Sequence, residues 1–87
     1  MAYLLIRHKV RNYAEWKRGY DGHLPVRRKA GLREKNLLRN IKNPKEVILL
    51  FQASDLKKAK AFVADRKLRE IMHEAGVTDK PDIYFLR

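Results

Sequence analysis

A chain of 87 residues, 45% hydrophobic and 36% charged, is the size of one small domain (1–87) that buries only about 60% of its unfolded surface and so gains from self-association. The absence of cysteine excludes disulfides, thiolate nucleophiles and cysteine-ligated zinc or iron–sulfur sites. The net charge of +11, from 21 basic and 10 acidic residues, favours anions in general, whether nucleic acid, an acidic membrane surface or a small acidic ligand.

In chain order, the first run is AYLLIRHKV, residues 2–10. Leu4, Ile6, His8 and Val10 share one alternation face and Tyr3 and Leu5 the other, which predicts a strand covered on both sides. The apolar run ends at Arg7, too short for a signal-peptide core or a membrane span. A soluble, cytoplasmic protein without a membrane partner is therefore expected, and His8, near the strand end, is expected in a structural or solvent-facing role.

Asn12 to Gly31, NYAEWKRGYDGHLPVRRKAG, holds the only Trp and two of the four Tyr. Asn12 with Glu15 three residues on is an Asn-headed capping box, so a helix should start at Tyr13. Tyr13, Trp16 and Tyr20 recur at i, i+3 and i+7, a stripe that suits either a core or a site wall. Pro25 would clash with the Asp21 carbonyl in an unbroken helix, so the helix should stop or kink near Asp21-Gly22 and restart with Pro25 in its first turn. His23 then stands at a helix start, where the macrodipole disfavours imidazolium and leaves a neutral ring able to accept a proton. Trp16, Tyr20, His23 and Arg27 fall at i, i+4, i+7 and i+11, one stripe if the kink is mild. They form the candidate site: His23 as catalytic base or hydrogen-bonding partner, Trp16 and Tyr20 as walls for an apolar or aromatic substrate, and Arg27 for an anionic group. The competing role for His23 is to cap or pack at the kink. Gly31, after Ala30, should terminate the segment.

Residues 32–39, LREKNLLR, suggest a polar strand and residues 46–53, EVILLFQA, an apolar one, joined through the Asn43-Pro44 turn signal as a hairpin. Val47, Leu49 and Phe51 occupy one face of the second strand and Ile48 and Leu50 the other. Helices can cover one face, but so short a chain has no second layer for the other, which implies another copy of itself. Ser54 or Asp55 should cap a helix with the stripe Leu56, Ala59, Phe62 and Val63. Asp65 should cap another with Leu68, Ile71, Met72 and Ala75. Gly76 ends that helix with Val77 placed for a Schellman contact, and Pro81 opens a last strand, DIYFLR.

The order βαββαβ with an antiparallel sheet defines an α+β, ferredoxin-like plait, a fold that hosts many functions. EVILLFQA lacks the glycine and aromatics of an RNA-recognition third strand. There is no CxxC for a metal chaperone, no glycine-rich phosphate loop after the first strand, and no Walker, HExxH or GxSxG element. No metal and no cofactor is expected.

RHKVRNYAEWKRGYDGHLPVRRKAG, NPKEVILLFQASDLKKAKAFV and KLREIMHEAGVTDKPDIYFLR together resemble the antibiotic biosynthesis monooxygenase-like proteins of the dimeric α/β-barrel superfamily, in their unassigned branch. The resemblance rests on Val10, Tyr13, Trp16, Asp21, His23, Arg28, Gly31, Asn43-Pro44, Ala59, Phe62, Leu68, Ala75-Gly76-Val77 and Tyr84. It implies a dimeric α/β barrel and a function among oxygenases needing no metal or prosthetic group, haem-degrading enzymes, and cyclases or isomerases of aromatic polyketides. The haem-degrading site is not carried over, because the first strand has no Asn and the only Trp lies on the first helix. The resulting expectation is a homodimeric small-molecule-binding protein or cofactor-free enzyme acting on an apolar or aromatic substrate. The alternatives are a basic nucleic-acid or polyanion binder, held by weak non-specific contacts from Arg27 to Lys45, and a structural dimer without catalytic activity.

Overall fold

A computed structural model describes every residue from Met1 to Arg87 and gives the order β1 (Ala2–Lys9), α1 (Tyr13–Gly22), α2 (Leu24–Lys29), β2 (Leu32–Arg39), β3 (Glu46–Ala53), α3 (Leu56–Ala64), α4 (Arg66–Glu74) and β4 (Asp82–Leu86). The four strands form one antiparallel sheet in the order β2-β3-β1-β4. This is the ferredoxin-like plait, with each helical arm broken into two pieces. No helix is long and apolar enough to cross a membrane.

Local chemistry accounts for the breaks. The Asn12 side chain accepts the Glu15 N–H at 3.0 Å, so α1 begins at Tyr13. The reciprocal half of the expected capping box is absent, because the Glu15 carboxylate pairs with Arg11 at 2.9 Å instead. His23 closes α1 and opens α2, with Pro25 in the first turn, where its missing N–H costs nothing. Asp55 and Asp65 cap α3 and α4 by accepting the Lys58 and Lys67 N–H groups. At the end of α4 the Val77 N–H reaches the Met72 carbonyl and the Gly76 N–H that of His73, a complete Schellman motif. Gly76, at φ +97°, supplies the left-handed turn.

Directly opposed residues share a face, so the pairings Leu4↔Phe51, Ile6↔Leu49 and His8↔Val47 define the helix-covered side. Ten buried apolar residues make the core there, among them Leu4, Ile6, Val10, Trp16, Leu49 and Phe51. A β-bulge at Lys35, between Glu34 and Asn36, keeps both Leu32 and Leu37 facing the helices despite their odd spacing. The opposite face carries Tyr3, Leu5, Ile48, Leu50, Leu38, Tyr84 and Leu86, and nothing in the chain covers it; Leu38 and Tyr84 are 54% and 55% exposed. At one end of that face Arg7 gathers three carboxylates: Asp82 at 2.6 Å, Glu46 at 2.9 Å and Asp79 at 3.0 Å. The guanidinium is held well above its ordinary value by these bonds, Asp82 foremost.

Candidate functional site

Between the covered sheet face and the helices lies a cavity of about 70 Å³. Ile6, His8, Leu49 and Phe51 form its floor, α1 contributes Trp16, Gly19 and Tyr20, and α4 contributes Leu68, Ile71 and Met72. His23 at the α1–α2 junction and Arg27 on α2 complete the wall. The four residues singled out in the sequence, Trp16, Tyr20, His23 and Arg27, thus line one cavity. The break at His23 turns α2 without dispersing the stripe.

The polar groups of this wall form a ladder. The rings of His8 and Trp16 meet edge to face with centroids 5.4 Å apart, and Trp16 stacks on Tyr20 at 4.9 Å. The Arg27 guanidinium lies 3.7 Å over the Tyr20 ring centroid and donates to the Tyr20 carbonyl. Arg27 is buried with no carboxylate in ion-pair contact, and burial pushes it below its ordinary value. Tyr20 donates its hydroxyl to Glu34 at 2.7 Å. Burial, then that bond, drives its phenol well above the ordinary range. Tyr20 is accordingly a neutral wall and donor, not a base. His23 is half-buried, and its side chain makes no capping hydrogen bond to α2. No cluster of His, Cys, Asp or Glu is arranged to hold a metal ion.

His8 departs from the solvent-facing option open to it in the sequence. It is 2% exposed, and neither ring nitrogen has a hydrogen-bond partner in the protein. Burial pushes its imidazole down to about 4, with Asp79 opposing and Arg7 assisting. It is therefore neutral at pH 7, part of the cavity floor with both ring nitrogens buried. The available signal was its place on the Leu4–Ile6 face; that Trp16 closes over it required the three-dimensional packing.

The basic stretch is less free than its composition suggests. Of its eight cations, Arg27 is folded inward and Arg39 stacks 3.8 Å over the Tyr13 ring while donating to the Pro44 carbonyl. Arg33 and Lys35 lie on β2, an edge strand, where charge discourages strand-to-strand aggregation.

No protein-family model and no curated protein matches the sequence. Solved structures do. A Bordetella bronchiseptica protein named as an antibiotic biosynthesis monooxygenase superposes with a TM-score of 0.78 at 15% identity, over 99% of this chain and 94% of that one. A protein from Methanosarcina mazei Go1 gives 0.72 at 14% identity, over 99% and 90%. A variant of SnoaB, a cofactor-independent oxygenase from Streptomyces nogalater, gives 0.68 at 15% identity, over 95% and 89%. At such identities the likeness is one of fold. The chain has the α+β fold of antibiotic biosynthesis monooxygenase-like structures, as its residue pattern suggested.

Proposed function

We propose that the protein is a homodimeric small-molecule-binding protein or cofactor-free enzyme acting on a small apolar or aromatic substrate. The observation that carries this reading is the cavity, where ten of fourteen lining residues are hydrophobic and Tyr20, His23 and Arg27 stand together in the wall. At about 70 Å³ the chamber is well below the roughly 300 Å³ of a typical ligand site, so the substrate is small or enters as α4 yields. α4 is the wall most able to yield, because it has no buried residue. In a monooxygenase-like or isomerase-like reaction, His23 takes a proton from the substrate, leaving a delocalised carbanion, while Trp16 and Tyr20 exclude water. In the oxygenase case dioxygen accepts the electrons of that carbanion and bonds to the carbon, the proton on His23 returns to give a hydroperoxide, and loss of water leaves the oxygenated product; the SnoaB neighbour is named a cofactor-independent oxygenase. Arg27 offsets developing negative charge. The test is His23→Ala with Trp16 and Tyr20 intact: retained small molecule, read by native mass spectrometry of protein purified from cells, or turnover should be lost with dimer and melting temperature unchanged. Unchanged retention and turnover, or a collapse of stability instead, would return His23 to the scaffold.

The uncovered sheet face supports the homodimer, each copy laying its apolar strands on the other's to close an α/β barrel. Light scattering should give twice the chain mass of 10.3 kDa. Leu5 and Leu50 are directly opposed on that face, and Leu50→Asp would bury an unpaired carboxylate between the two sheets. The variant should be monomeric at micromolar concentration. A Leu50→Asp protein that still runs as a dimer would place the interface elsewhere.

A further inference from the structure

A groove of about 540 Å³ lies outside the cavity, at the corner of the sheet where the edge strand β2 begins. The turn at Gly31, φ +74°, brings the first residues of β2 back beside α2. Arg27 and Arg28 of α2, Arg33 and Glu34 of β2, and Ser54 just past β3 thereby share one wall. None of the three arginines is in an ion pair. Glu34 is the one acidic side chain of the wall, and its carboxylate already accepts the Tyr20 hydroxyl at 2.7 Å. The Ser54 hydroxyl is turned to the Gly31 carbonyl at 3.2 Å. Exposed cations without partners are ordinary in so basic a chain, because water solvates them. Arg27 is different: it is 7% exposed, and a buried charge without a counter-ion is costly. Its guanidinium donates once, from Nη1 to the Tyr20 carbonyl, while Nε and Nη2 donate to nothing in the protein. Those two nitrogens keep some contact with solvent, since the sealed, unpartnered side-chain nitrogens are those of His8. Charge on an edge strand accounts for Arg33. It does not account for a buried Arg27 with Arg28 beside it.

We propose that this groove is an anion site in which Arg27, Arg28 and Arg33 receive the dianionic head of a small phosphomonoester. Charge selects that class. Three guanidiniums against one carboxylate leave the side chains of the wall with an excess of two positive charges. A carboxylate or a phosphodiester supplies one negative charge, whereas a phosphomonoester carries close to two at pH 7 and presents three strong acceptor oxygens, one for each arginine. The planar fork of the guanidinium fits such oxygens in pairs. Arg27 is the one residue that lines both the groove and the cavity, so the anion site stands whatever the cavity takes.

Methyl phosphate, dimethyl phosphate and acetate are small probes that differ in charge and in the number of acceptor oxygens. Each is titrated into the full-length protein at pH 7 and fixed ionic strength, followed by calorimetry and by the arginine side-chain Nε–H resonances. Methyl phosphate should bind saturably and more tightly than the other two, and should shift the Arg27, Arg28 and Arg33 signals. Its affinity should fall as pH drops through about 6, where the monoester takes up a second proton. Arg28→Gln and Arg33→Gln, both at exposed positions, should each weaken it about tenfold, the worth of a hydrogen bond to a charged group. Lys42→Gln removes the same charge from the turn beyond the far end of β2 and should leave binding within a factor of two. No saturable binding of methyl phosphate refutes the site. Equal binding of acetate or dimethyl phosphate refutes the dianion assignment. A loss in Lys42→Gln as large as in Arg28→Gln shows general attraction to a basic surface and refutes the groove. So does methyl phosphate binding that leaves the three arginine signals unmoved, whatever the variants do.

Discussion

Trp16→Ala is expected to cost about 4 kcal/mol of stability, the middle of the range for removing a buried Trp. Trp16 is 3% exposed and touches three other rings, those of His8, Tyr13 and Tyr20, so its removal breaks each of those aromatic contacts along with the apolar burial. For a domain of this length such a loss lowers the melting temperature by about 20 °C. It also strips the cover from His8, letting water in and moving its titration back toward 6.5. Two readouts therefore move together: the circular-dichroism melt, followed at fixed protein concentration because a dimer's stability depends on it, and the His8 ring titration. A variant that melts within a few degrees of wild type with His8 still titrating near 4 would show that Trp16 is not what buries His8.

Most of the fold was legible because it depends on short-range rules. Asn12, Asp55, Asp65, Pro25, Gly31 and Gly76 each act within a few residues of themselves, and the caps and breaks fall where those residues put them. Alternation located the two faces of β3 for the same reason. The helical stripe of Trp16, Tyr20, His23 and Arg27 could be followed across the break because His23 turns the chain without a long loop. What escaped was pairwise and distant. Glu15 had two possible partners, and the choice of Arg11 over the Asn12 N–H is a competition that spacing does not decide. The bulge at Lys35 is visible only through its pairing with β3. The three carboxylates on Arg7 come from positions 39 to 75 residues away. His8 is the main case: alternation put it on the covered face, but the edge contact from Trp16 and the lack of any partner are properties of the packed site.

That burial gives the protein a specific acid sensitivity. His8 titrates near 6.5 when unfolded and at about 4 when folded, so between those values the unfolded chain binds a proton that the folded one refuses. The full stability is present above pH 6.5, is lost progressively as pH falls, and levels off below about 4, once the folded form is protonated too. Across the window the loss is about 3 kcal/mol. Two of the carboxylates around Arg7, Glu46 and Asp79, act lower on the scale. Hydrogen bonds from Asn40 and Arg7 hold Glu46 below its usual range. Burial pushes Asp79 up, but the Lys9 N–H and Arg7 outweigh it and leave that carboxyl depressed as well. Their contribution is present above the usual carboxylate value and disappears as pH drops through the depressed ones. Acid unfolding should thus come in two stages, the first due to His8 and the second to the Arg7 cluster. Urea titrations at pH 7, 5.5 and 4 should show the first stage in the wild-type protein and a nearly flat profile over the same interval in His8→Phe, which removes the titrating ring and leaves the Arg7 cluster intact. If His8→Phe keeps the wild-type slope, the proton is taken up elsewhere and His8 is more solvated than its burial beneath Trp16 implies.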